Sequence, residues 1–264
     1  MKAEEIIGIF TSDAPGIHEI VGLYIGGSYG AGCADRFSDF DFVAISEPEN
    51  TPLVVKAWED LCHSHFDVVF CRKQVGKAAL VNMITSGWTR IDLYVESKDD
   101  FLKRAQDQLK PVFEREQLFD KLSNLEPPYK TSVAKLEFLA NEYLRTLGLL
   151  AVGIGRNELF LCDVGLGHLK SLFMSFAIET ERSRECGALN LRRSLTKQTH
   201  ELFESLPNAG AERRDIIAAH METTRMFLEY AKPVFKEMEL DWPGRFEIAT
   251  RAHLVQALGE EVSF

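Results

Sequence analysis

An α/β domain over residues 1–123 followed by an all-α helical bundle over 131–264 is the fold this 264-residue chain predicts, and three observations carry it. Before residue 124, short β-branched and aromatic runs alternate with runs of helical spacing. "NLEPPYKTS" (124–132) then gathers two prolines and polar residues into a linker. Beyond it apolar residues recur at helical spacing and no strand-like run returns.

Taken in order, strands are expected at 21–26 (VGLYIG), 41–45 (DFVAI), 66–72 (FDVVFCR) and 89–96 (TRIDLYVE), with a weaker fifth at 110–116 (KPVFERE). Between them 52–65 has helical periodicity, and 97–109 opens with a serine and acids that suit a helix start. In the second half, "VAKLEFLANEYLRTLGLLAVGI" lines up Leu136, Leu139, Ala140, Tyr143, Leu144 and Leu147 on one stripe. Four later stretches, ending with "GRFEIATRAHLVQALG", repeat that pattern.

Composition limits the function. A hydrophobic content of 45% supports a core without staples, and a net charge of −10 argues against a broad grip on nucleic acid. Five scattered cysteines (Cys33, Cys62, Cys71, Cys162, Cys186) form no disulfide framework, which fits a reducing cytoplasm. The acidic N-terminus "MKAEEIIGIF" does not read as a signal peptide, and no uninterrupted apolar run of membrane-spanning length is expected.

The chemistry concentrates in "YIGGSYGAGCADRFSDFDFVAI" (24–45). Residues two apart on a strand share a face, so Asp39 and Asp41 stand together while Phe40 and Phe42 point into the core. Adjacent carboxylates repel unless a proton or a cation neutralises them, and magnesium with its oxygen ligands is the common solution. Gly26-Gly27-Ser28 ends the preceding strand, where a backbone without side chains can approach a phosphate that also takes the Ser28 hydroxyl. In "TRIDLYVE", Ile91, Leu93 and Val95 take the core face and leave Arg90, Asp92, Tyr94 and Glu96 opposite. Asp92 is the expected third carboxylate, with Asp67 its rival. Three acids beside a Gly-Gly-Ser turn describe nucleotidyl transfer assisted by two metal ions.

"GGS", ten residues, "DFD" and a later lone Asp on a strand resemble the polymerase-beta-like nucleotidyltransferase superfamily. Within it the chain is most similar to the aminoglycoside and streptomycin adenylyltransferases. The resemblance implies a mixed palm-type sheet, ATP as donor, Gly27 and Ser28 on the triphosphate, magnesium on Asp39 and Asp41, and Asp92 on the metal or on the acceptor hydroxyl. Arg90 and Lys170 are the further candidate nucleotide contacts. In the helical half Asp163 and Lys170, seven positions apart, share a face, and Glu137 and Glu142 precede them; these acids are further candidates for the general base.

Other motifs fail. "CHSHFDVVFC" matches no zinc spacing, "RKQVGKAAL" is not a Walker A loop, and "GLGH" and "GAGC" lack the dinucleotide fingerprint. "LRRSLTK" (191–197) is a modest basic patch. The expected enzyme moves AMP from ATP to a hydroxyl of a small, cationic or neutral acceptor held between the domains and releases pyrophosphate. The acceptor is aminoglycoside-like or another metabolite. Two alternatives share this core: an enzyme that adenylylates a protein, and a nucleotide-binding regulator that has lost catalysis.

Overall fold

The computed structural model describes residues 1–125, 127–181, 194–259, 262 and 264. It divides into two compact units, Met1–Pro127 and Pro128–Phe264. The first is the expected α/β unit, the second the expected helical one. Cys186 and residues 191–193 of the basic patch lie outside the described residues.

The first unit holds a six-stranded sheet in the order β3-β4-β5-β2-β1-β6. The strands are β1 (Gly22–Ile25), β2 (Phe40–Ile45), β3 (Val68–Val75), β4 (Ala79–Thr85), β5 (Arg90–Glu96) and β6 (Lys110–Glu114). β2 and β5 run parallel, and the other neighbours are antiparallel. One face is sealed by helices α1 (Ala3–Asp13) and α3 (Thr51–His65). Phe10 stacks on Trp58 with ring centroids 4.5 Å apart, and both rings meet Phe42. Phe40, Phe42, Ile91, Leu93 and Val95 are buried in that core, as their alternation predicts. On the other face a smaller cluster of Tyr24, Val43, Ile45, Phe101, Leu109, Leu118 and Leu122 covers the middle of β1 and the C-terminal half of β2. Asp41 sits at the uncovered end of the same row, and Asp92 beside it, both half-buried.

Three elements depart from the sequence reading. β4 was not expected; "RKQVGKAAL" forms its hairpin with β3, closed by Gly76 N–H donating to Ala78 O at 2.9 Å. Its alternation is confined to seven residues, with a glycine and a lysine just before, so it reads as a loop without its partners. Residues 97–109 do not make one helix. Ser97 caps a single turn, α4 (Lys98–Phe101), and a 3₁₀ turn follows at Gln106–Gln108. The buried Phe101, stacked on Tyr24 at 4.3 Å, and the bidentate pairing of Arg104 with Glu96 draw the chain back to the sheet. The Gly-Gly-Ser turn is itself a short helix, α2 (Gly27–Gly30).

The second unit contains α5 (Val133–Gly155), α6 (Leu159–Glu181), α7 (Lys197–Glu204), α8 (Arg213–Glu237) and α9 (Gly244–Leu258). All six residues of the expected α5 stripe are buried, with Tyr143 stacked on Phe227 at 3.8 Å. Among the described helices α6 alone has the length and hydropathy of a membrane span. Cys162, Leu169, Phe173 and Phe176 commit its apolar side to the core of this unit.

Candidate functional site

The site begins where β1 ends. Gly26 N–H donates to Asp41 O at 2.7 Å, which ties the turn to the strand that carries the acid. Gly27 follows at φ +54°, and a Cβ there would stand 2.0 Å from Asp41 Oδ2. Only glycine meets both conditions. A Cβ on Gly30 would likewise stand 2.2 Å from Gln108 O, so α2 lies directly on the surrounding backbone. On this helix the Ser28 hydroxyl is buried with no hydrogen-bond partner. An orphaned buried hydroxyl is costly and calls for a partner.

Beside it the acids converge. Asp41 on β2 and Asp92 on β5 are direct register partners, and Asp39 precedes β2. One oxygen from each of the three lies within 4.8 Å of the others, the one such cluster of His, Cys, Asp and Glu among the described residues. Burial, then the charges of Asp39 and Asp92, push the Asp41 carboxyl up to about 6 against the pull of Arg90. Asp92 is also raised, by burial first and by Asp39, while the Asn82 side-chain amide and Arg90 oppose the shift. Tyr94 is raised by burial and by all three acids, which places it on the same face. Arg90 pairs with Asp39 at 3.3 Å and donates to Phe37 O at 3.1 Å, so its nearest carboxylate is Asp39.

This cluster carries more negative charge than its one arginine balances. Three half-exposed carboxylates offer the hard oxygen donors that magnesium takes, so the residues fit a divalent ion. A cavity of about 460 Å³ is lined by α1, the 35–38 loop and residues 87–90; Arg90 borders it, and none of the three acids does.

Not every candidate joins the triad. Asp67 is exposed at the start of β3, where its carbonyl accepts Ser86 N–H at 2.8 Å. Register sets Arg72, not Asp67, in line with Asn82 and Asp92. The remaining candidates belong to the helical unit. Lys170 donates to Asn208 Oδ1 at 3.1 Å, and burial lowers its pKa against the opposing charge of Asp163. Glu142 is engaged by Arg145 at 2.7 and 2.6 Å, and Glu137 is exposed. Sequence reasoning missed Asn82. Its signal was a lone amide at the centre of "ALVNMIT", visible only once that run is read as a strand.

No protein-family model matches the chain, and no curated protein sequence matches it. Among solved structures it is similar to an aminoglycoside 6-adenyltransferase from Bacillus subtilis, at 13% identity over 96% of this chain and 97% of that one, with a TM-score of 0.44. A nucleotidyltransferase-like protein from Exiguobacterium sibiricum shares 13% identity over 97% of this chain and 89% of the other, with a TM-score of 0.38. A poly(A) polymerase complex, GLD-2 with GLD-3, matches 39% of this chain and 37% of its own at 15% identity and a TM-score of 0.29. At such distances function has to be argued from the site itself.

Proposed function

We propose that the chain is a magnesium-dependent nucleotidyltransferase that moves AMP from ATP to a hydroxyl of a small molecule and releases pyrophosphate. The observation that carries this reading is the convergence of Asp39, Asp41 and Asp92 next to a glycine turn whose Ser28 hydroxyl is buried and unpartnered. Gly27 keeps the backbone open where a phosphate would approach, and Ser28 donates to a phosphate oxygen. Asp39 and Asp41 would hold magnesium, and Asp92, in the same cluster, faces the acceptor hydroxyl. The ion supplies charge neutralisation on the phosphates and on the leaving pyrophosphate. Asp92, the carboxylate on the β5 side of the cluster, is the one placed to accept the proton of the attacking hydroxyl. In the overall exchange the acceptor oxygen bonds to the α-phosphorus, the bond from that phosphorus to the pyrophosphate oxygen breaks, and the hydroxyl proton is lost. Arg90 holds Asp39 in place through their ion pair.

The test is calorimetric titration of magnesium–ATP into wild type and Asp41→Asn, with pyrophosphate release followed in parallel using ATP labelled in its AMP part. Saturable binding that Asp41→Asn weakens, with label transferred to a small molecule, is expected. Binding without turnover on any acceptor would favour a nucleotide-binding regulator, and label on a protein would favour a protein-modifying enzyme.

A further inference from the structure

Four strands place one transverse row of polar side chains on the face that carries the acids. Register pairs Asp41 with Asp92, Asp92 with Asn82, and Asn82 with Arg72. Residues directly paired across strands share a face. On β4 the alternation buries Ala79, Val81, Met83 and Thr85, which leaves Asn82 on the open side between Leu80 and Ile84. It is the direct register partner of Asp92, whose raised pKa its amide opposes. Arg72 ends the row, exposed, and among the described residues its guanidinium has no carboxylate, carbonyl or aromatic partner. The neighbouring cations differ: Lys73 is tied to Glu59, Arg90 to Asp39 and Arg104 to Glu96.

The strand order gives the row a direction. The Gly27–Ser28 turn follows β1, on one side of the acids, and the nucleotidyl-transfer reading puts the phosphates on that side. The same sheet face continues the other way, over β4 and β3. Arg72 stands two strand spacings from Asp92, about 10 Å.

We propose that Arg72 binds an anionic group of the acceptor, a phosphate or a carboxylate carried about 10 Å from the hydroxyl that reacts. The proposal rests on the nucleotidyl-transfer reading. Bare acids would draw a cationic acceptor. Divalent ions bound there would weaken that pull, and on the β3 side of the row the charge with no partner among the described residues is Arg72.

The experiment loads the protein with magnesium and a non-hydrolysable ATP analogue. It then measures the binding of matched hexoses and pentoses in neutral, amino, phosphate and uronate forms. The phosphate or the uronate should bind about tenfold or more tightly than its neutral counterpart, and which of the two wins identifies the anion. Arg72→Met should erase that preference and Arg72→Lys retain part of it, with the analogue's own affinity changed by no more than about twofold. Anionic forms that bind no better than neutral ones, or a preference that survives Arg72→Met, would overturn the assignment while leaving nucleotidyl transfer standing. Failure of the wild type to bind the analogue would overturn the transfer reading and this proposal with it.

Discussion

Two carboxylates withdrawn from water, Glu179 in the helical unit and Asp41 in the sheet unit, titrate in opposite directions. Glu179 is 0% exposed, yet it accepts the Tyr129 hydroxyl at 2.5 Å and Ser132 N–H at 2.7 Å and pairs with Lys135 at 2.7 Å. Burial pushes its pKa up, and those donors pull it below the ordinary carboxylate value. Asp41 is less deeply placed, but no side-chain donor among the described residues reaches its carboxylate, and its near neighbours are two more acids. Depth therefore does not separate the two acids. A buried charge supplied with donors fastens structure, here the chain entering α5 onto α6, whereas a charge left without them fits a site that takes up a cation.

The sharpest way to break that contrast is to neutralise the unsatisfied acids. Asp41→Asn and Asp39→Asn should each lower transfer by at least about 10³-fold, because every phosphate-side function of the site passes through them. The fold should persist, since removing one of several repelling charges relieves the repulsion among the rest. Label transfer and thermal melting measured together decide it. Unfolding in place of inactivation would make these acids structural, like Glu179.

The converse substitution is expected to have the converse result. Glu179→Ala strands Lys135, the Tyr129 hydroxyl and the Ser132 amide, and should cost about 3 kcal/mol of stability. Magnesium–ATP affinity measured well below the lowered melting point should stay at the wild-type value. A large loss of affinity with little loss of stability would dissolve the distinction between the two acids.

How much of this was legible in the sequence follows from the same physics. Asp39, Asp41 and Asp92 could be read because strand alternation is local: Phe40, Phe42, Ile91, Leu93 and Val95 had to face the core, and the acids fell opposite. The glycine turn could be read because a special backbone needs special residues. β4 could not, since a short strand with one polar side chain becomes evident only from β3 and β5 on either side, and Asn82 went unread with it. The fate of 97–109 was also decided at a distance, by Tyr24 and Glu96. The partners of Glu179 come from residues 129, 132 and 135, more than 40 positions away, so their convergence had no local signature.

A smaller effect separates roles within the triad. Asp92→Asn should lower turnover about 100-fold while magnesium–ATP affinity changes no more than about threefold, because its work is at the attacking hydroxyl. Parallel calorimetry and single-turnover transfer measure the two quantities. A loss of affinity as large as the loss of rate would place Asp92 with Asp39 and Asp41 on the phosphates.

The smallest expected effect tests the electrostatic premise with no acceptor at all. Asp41 holds its proton more tightly in the folded chain, where its pKa stands near 6 against an ordinary 3.8. Its contribution to stability is therefore fully present below about pH 4 and is lost as pH rises through about 6. A rise of that size bounds the loss at about 3 kcal/mol, and the remaining access of water reduces it to about 1–2 kcal/mol. Asp92, also raised, adds a slope of the same sign. The buried His220, whose pKa burial lowers, gives the opposite slope, because the fold favours its neutral form and gains stability as pH rises towards its ordinary value. The informative quantity is thus the difference between wild type and Asp41→Asn across pH 4–8 in urea melts, from which His220 cancels. Without metal the variant should gain on the wild type by about 1–2 kcal/mol as pH rises from 4 to 7, and saturating magnesium at pH 7 should remove the gain by stabilising the wild type alone. A difference independent of pH would mean that the three acids do not strain one another, and the case for a cation in their midst would lose its physical ground.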